Sequence, residues 1–121
     1  MSAKAGSAPT PDPNRRVRRH SRCTCNFPMV VTLFAGDSYR RLNAHCKNLS
    51  EAGMGILLAE ELAAGEVVSL RFCFPGSSQE WEVRAILRHG RGYHYGLEFI
   101  SVSTELRRIM RRFMKAVETP K

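Results

Sequence analysis

Residues 67–74 alternate: Val68, Leu70, Phe72 and Phe74 form one apolar set, interleaved with Val67, Ser69, Arg71 and Cys73. A period of two puts one set of side chains on a buried face and the other toward solvent, so the stretch predicts a half-buried β-strand. The pattern recurs along the chain. Met29, Val31 and Leu33 alternate with Val30, Thr32 and Phe34, and the chain returns through residues 39–47 with Leu42, Ala44 and Cys46 on one face. Met54, Ile56 and Leu58 begin a third strand, and residues 60–65 form a connection. Trp81, Val83, Ala85 and Leu87 alternate with Glu82, Arg84, Ile86 and Arg88, and Tyr93, Tyr95, Leu97 and Phe99 line a last strand. Turn chemistry separates these runs at residues 35–38, 48–53 and 75–78 and at Gly90-Arg91-Gly92. The last of these reads as a hairpin turn and not a phosphate loop, because no helix follows it. Six short strands joined by turns predict a mainly β fold. The expected form is an antiparallel meander closed into a six-stranded β-barrel, since closure removes exposed sheet edges.

The period switches after residue 100. Ser103 or Thr104 can cap a helix with Glu105 in its first turn, and Leu106, Ile109, Met110, Phe113, Met114 and Val117 recur at helical spacing. That stripe predicts a C-terminal α-helix over about 104–117, covering an open face or end of the barrel. A chain of 121 residues fits one domain, large enough to fold without a metal or disulfide. The expected organisation is a disordered tail over 1–14, rich in proline and poor in anything to bury, then a domain over 15–117 and a short tail over 118–121. Within the domain, residues 15–22 form a basic arm and about 27–100 the barrel.

The charge is uneven. Nineteen Lys and Arg face 11 acidic residues, and much of the excess lies in two clusters. One is Arg15, Arg16, Arg18, Arg19 and Arg22; the other is Arg107, Arg108, Arg111, Arg112 and Lys115. Such a field favours phosphate-bearing partners, although the C-terminal cluster is read as the solvated face of the helix. No apolar run is long enough to span a membrane and no secretory signal is evident, so a cytoplasmic location with reduced thiols is expected. Cys23, Cys25, His45 and Cys46 fit no common zinc spacing, and His45 and Cys46 would point to opposite faces of one strand. No metal site is therefore expected, and the thiols are read as packing residues. His20, His45, His89 and His94 have no nucleophile or carboxylate at a diagnostic spacing, and no acidic pair stands out, so nothing argues for an enzyme.

Two stretches carry the functional reading. Arg18 and Arg22 are spaced R-x-x-x-R, as are Arg15 and Arg19. The planar guanidinium fork suits phosphate oxygens and stacks on flat bases, which lysine cannot do. The second stretch, Asn48-Leu49-Ser50-Glu51-Ala52-Gly53, is a polar turn between two strands. Asn48 and Ser50 can bond to backbone or to a ligand, and Gly53 permits positive φ or the close approach of another group.

Together, R-x-x-x-R followed by N-x-S-x-x-G resembles the signature of the PilZ domain, and Gly96-Leu97-Glu98-Phe99 resembles the Gly-x-x-Phe that closes that family's last strand. The resemblance covers about residues 15–117. It implies a six-stranded barrel that binds the bacterial second messenger cyclic di-GMP, with no cofactor, and passes the signal to a downstream effector protein. By that resemblance Arg18 and Arg22 grip the phosphates and stack on guanine, Asn48 and Ser50 bond to a guanine edge and phosphate, and Gly53 leaves room for the ligand. Arg15, Arg16, Arg19 and His20 are secondary candidates, since the register of the arm has alternatives. Asn48 stands where many members have Asp, a better acceptor for guanine N–H groups. Two other readings stay open: a nucleic-acid-binding barrel using both basic clusters, and a PilZ-fold adaptor that binds protein but no nucleotide. Against the first, the chain has no evident row of exposed stacking aromatics and no recognisable RNA-binding signature.

Overall fold

The computed structural model describes residues 22–118. Six strands form: β1 (Cys23–Ala35), β2 (Ser38–Leu49), β3 (Gly53–Leu57), β4 (Val67–Phe72), β5 (Trp81–Arg91) and β6 (His94–Phe99). One helix, α1 (Thr104–Glu118), follows. The strands close into an antiparallel barrel in the order β1-β2-β3-β6-β5-β4, with β4 paired back onto β1.

The six-stranded closed barrel is the expected fold, but the strand order is not that of a meander. The cause is the connection after β3, which is too long for a hairpin. Leu58 N–H donates to Tyr93 O, Leu62 N–H to Tyr95 Oη and Gly65 N–H to Leu87 O. The segment therefore runs past β6 and then β5 before β4 begins, leaving β3 free to pair with β6. Two smaller differences concern the end of the barrel. β5 continues through Arg91, so the last turn is at Gly92 and Tyr93, and Tyr93 is exposed, not part of a strand face.

Apart from Tyr93, the alternating apolar sets point inward. Met29, Val31, Leu33, Met54, Ile56, Val68, Leu70, Val83, Ala85, Leu87 and Leu97 are buried in one core. Helix α1 is capped by Ser103, whose Oγ accepts from Leu106 N–H at 3.1 Å. Its stripe of Leu106, Met110 and Met114 joins the same core, while Val117 is exposed. Phe113 stacks on Phe74 with centroids 4.9 Å apart and meets Phe27 edge-on at 6.0 Å. Aromatic pairs of this geometry add about 0.5–1.5 kcal/mol each beyond area burial, which fixes where the helix lies. Among the described residues, no helix is long and apolar enough to cross a membrane.

Candidate ligand-binding site

Strict alternation along β2 would carry the inward face from Ala44 and Cys46 to Asn48. The β2–β3 register instead shifts between Cys46 and Asn48, inserting Lys47 as a bulge. A bulge re-aims the residues after it. Leu49 is buried, and the Asn48 side chain lies across Gly55 on β3, in the wall of an open cleft. A Cβ on Gly55 would fall 2.5 Å from Asn48 Nδ2, so the glycine makes the space that the amide occupies.

The pairing of Cys23 with Leu49 and Thr24 with Asn48 brings the start of β1 beside this amide. Arg22, just before β1, donates from Nη1 to Asn48 Oδ1 at 2.8 Å. The last arginine of the arm and the first residue of the polar turn thus meet directly. Arg15, Arg16, Arg18, Arg19 and His20 lie outside the described residues.

The rest of the turn is held from within. Ser50 is buried, and its Oγ accepts from Ala52 N–H and Gly53 N–H, each at 3.2 Å, and donates to Gly53 O at 3.3 Å. Ser50 N–H also donates to Gly53 O at 2.9 Å. A hydroxyl has one proton and two lone pairs, and all three are engaged inside the turn. The reason for glycine at position 53 is steric. A Cβ there would lie 2.0 Å from Leu97 O, so the turn can pack onto β6 only without a side chain at that point.

Glu51 turns the other way. Arg111 of α1 donates from Nε to Glu51 Oε2 at 2.7 Å, and Arg107 lies 3.8 Å from Glu51 Oε1. The bond to Glu51 holds the Arg111 guanidinium above its ordinary pKa. The basic face of α1 is therefore not simply solvated, since two of its arginines tie the helix to the polar turn.

The cleft, about 510 Å³, extends from Arg22, Asn48 and Gly53 to residues that the sequence reading did not assign to the site: Lys47, Arg88, His89, Arg91 and His94. A second bulge explains the omission. The β5–β6 register shifts between Leu87 and His89, so Arg88 and His89 are both exposed after buried Leu87. The sequence carries a faint mark of each bulge. Asn48 stands two residues after Cys46 and His89 two after Leu87, polar residues where alternation calls for apolar ones. Gly90-Arg91-Gly92 lies in a hairpin as expected, yet Arg91 also lines the cleft. Four of the lining residues are Lys or Arg and one is acidic, Glu98, which accepts from Arg88 Nε at 2.6 Å. The balance favours an anion. Among the described residues, no group of three or more His, Cys, Asp or Glu could hold a metal ion.

A family model described as the PilZ domain matches residues 16–116. No curated protein sequence matches the chain. Among solved structures, the Escherichia coli "PilZ domain with c-di-GMP of YcgR" superposes with a TM-score of 0.64 at 21% identity, over 85% of this chain and 92% of that one. The Bacillus subtilis inhibitor of motility, MotI/DgrA, gives a TM-score of 0.64 at 15% identity, over 84% of this chain. This chain spans about half of MotI/DgrA, 51% of its length. The PilZ domain of CeSA from a cellulose-synthesizing bacterium gives 0.62 at 15% identity, over 82% and 99% of the two chains.

Proposed function

The chain belongs to the PilZ domain family, and from that premise we propose that it is a bacterial cytoplasmic receptor for cyclic di-GMP. The ligand is gripped between the arginine arm and the cleft beside the polar turn. The observation that carries the reading is the 2.8 Å bond from Arg22 to Asn48, which joins the two motifs at the edge of a cationic cleft. One N–H of the Arg22 guanidinium is used on Asn48, and the others remain for phosphate oxygens. Arg18 takes the second phosphate and stacks on guanine, with Arg15, Arg16, Arg19 and His20 available if the arm shifts register. Asn48 reads a guanine edge. Ser50 and Gly53 shape the surface on which the base rests, and a direct bond from Ser50 would require one of its turn bonds to be exchanged.

The domain extends over 15–117, and the signal leaves it by two routes. Ordering of the arm changes the surface offered to an effector protein. Any shift of the turn also reaches α1 through Glu51, Arg107 and Arg111. The energetics are feasible. Hydrogen bonds to charged groups contribute about 1.5–3 kcal/mol each. Several of them plus stacking offset an ordering cost of about 1–2 kcal/mol per arm residue, leaving the roughly −8 kcal/mol of micromolar binding.

Titration calorimetry with cyclic di-GMP tests the reading. The wild type binds, and Arg22→Ala weakens binding by about tenfold or more, the loss expected for one charge-assisted bond. No heat with the wild type, or equal affinity in the variant, would remove the assignment.

A further inference from the structure

Beneath the Asn48 end of the cleft, three thiols cluster where β1 and β2 are least regular. Cys25 lies within the irregular stretch between Thr24 and Phe27, and Cys46 borders the bulge that re-aims Asn48. Their sulfurs are 3.6 Å apart in hydrogen-bond contact, and the Cys46 thiol donates to Asn48 O at 3.3 Å. Cys25 is half-buried and reachable from solvent, whereas Cys46 and Cys23 are buried. We infer that Cys25 and Cys46 form a peroxide-oxidisable pair whose disulfide withdraws the thiol that anchors Asn48 and so loosens the ligand-reading residue.

The chemistry divides between the two sulfurs by their surroundings. The Cys25 thiol is held below the ordinary range, chiefly by its hydrogen bond with Cys46. Burial opposes this, while a bond to Cys23 and the charge of Lys47 add to it. Cys46 is pushed well up by the same bond and by burial. Thiolate character and access select the nucleophile, so Cys25 reacts first. Its thiolate attacks a hydroperoxide, an S–O bond forms and the O–O bond breaks, and the departing oxygen takes up the proton that Cys25 gave. Cys46 sulfur then attacks the sulfenic sulfur of Cys25. The S–S bond forms, the S–O bond breaks, and the hydroxyl leaves with the Cys46 proton as water. Two thiols are oxidised by two electrons and one hydroperoxide is reduced to an alcohol (or water) plus water.

Bonding at about 2.05 Å requires the sulfurs to close by roughly 1.5 Å. Irregular strands accommodate such a shift more readily than a regular ladder, and here the β1–β2 register is broken between Thr24 and Phe27 and the β2–β3 register between Cys46 and Asn48. Cys46 has one S–H, which reaches Asn48 O while Cys25 is a thiol and turns to the Cys25 sulfur when that is a thiolate, and the disulfide removes this proton altogether. Oxidation therefore removes a main-chain anchor two residues along β2, and the Asn48 amide moves relative to Arg22 and Gly55.

The consequence for cyclic di-GMP rests on the receptor reading above, whereas the disulfide and the Asn48 displacement do not. The full chain, reduced and then exposed to a small excess of hydrogen peroxide, is blocked with iodoacetamide and digested with trypsin. Cleavage after Arg22, Arg40, Arg41 and Lys47 places Cys23 and Cys25 in residues 23–40 and Cys46 in residues 42–47. The expected product is one linked pair of these peptides, lost in Cys25→Ser, kept in Cys23→Ser and reversed by dithiothreitol. The side-chain amide resonance of Asn48, assigned through Asn48→Asp, shifts in the oxidised wild type and stays in place in oxidised Cys25→Ser. Affinity for cyclic di-GMP falls reversibly by about fivefold or more, the scale of ordinary coupling between sites. Sulfinic acid at Cys25 without a crosslink, a crosslink that uses Cys23 in the wild type, or an unmoved Asn48 amide would overturn the proposal. So would a linked pair with unchanged affinity in a protein that binds. If the reduced protein does not bind cyclic di-GMP, the receptor reading fails by itself, and the crosslink and amide resonance still decide the thiol pair.

Discussion

Ser50, a candidate ligand contact from its place in the motif, acts in the fold as a fastener of its own turn. Its three bonding positions are spent on Ala52 and Gly53, inside the turn. Ser50→Ala leaves two N–H groups of a tight turn without their acceptor, so stability should fall by about 2 kcal/mol, within the range for buried unsatisfied groups. Urea unfolding followed by the fluorescence of Trp81, the single tryptophan, measures it. Gly53→Ala is more damaging, because the added Cβ meets the Leu97 carbonyl rather than a flexible side chain. The same assay should register a loss of about 3 kcal/mol or more, the upper range for overpacking. Turn residues were legible as turn residues, since Asn, Ser and Gly in that order have few other uses. Which of them turns its side chain into the cleft and which spends it on its own backbone depends on the register with β3 and β6, and local sequence carries none of that.

At the scale of elements, alternation located all six strands because each buries one face against a common core. It failed at the two bulges, where an extra residue reverses the alternation and turns Asn48 and His89 out into the cleft. It failed again at strand order. Whether β3 pairs with β4 or β6 is decided by the path of residues 58–66 past Tyr93, Tyr95 and Leu87, and those contacts join positions far apart in the chain. The helix was readable from its 3.6-residue stripe and the Ser103 cap, but its arginines looked solvated until Glu51 was placed beneath them. Phe113 holds that placement between Phe27 and Phe74. Because Phe113 is only half-buried, Phe113→Ala should cost ~2–3 kcal/mol, less than the 3–5 typical of a fully buried Phe. Thermal or urea unfolding reads the loss. Glu51→Gln leaves the helix packed but cuts its ionic tie to the turn. Amide hydrogen exchange in residues 50–53 should then rise while exchange in the barrel strands stays as in the wild type.

For the molecule as a whole, a formal charge of +8 is compatible with a small anionic ligand or with a polyanion. Salt separates them. A cyclic dinucleotide held by two phosphates in a shaped cleft should lose affinity only gently as salt rises. A nucleic acid releasing many counterions loses it steeply and linearly with log salt. Calorimetric titrations of cyclic di-GMP and fluorescence titrations of single-stranded DNA at several salt concentrations make the comparison. The expected outcome is a shallow slope for the dinucleotide and weak, steeply salt-dependent binding for the DNA.

The strand order also sets when the proposed binding surface comes into existence. Gly53 pairs with Glu98, and Ala52 O accepts from Phe99 N–H at 2.8 Å, so the polar turn leans on the last strand of the barrel. Contacts this distant in sequence form late, after the loop between them has closed. During synthesis, the arm and the turn leave the ribosome well before β6. A nascent chain can therefore carry both motifs in full and still lack the surface proposed to hold the ligand. That proposed surface has its β6 wall only once the segment that ends at Phe99 is in place.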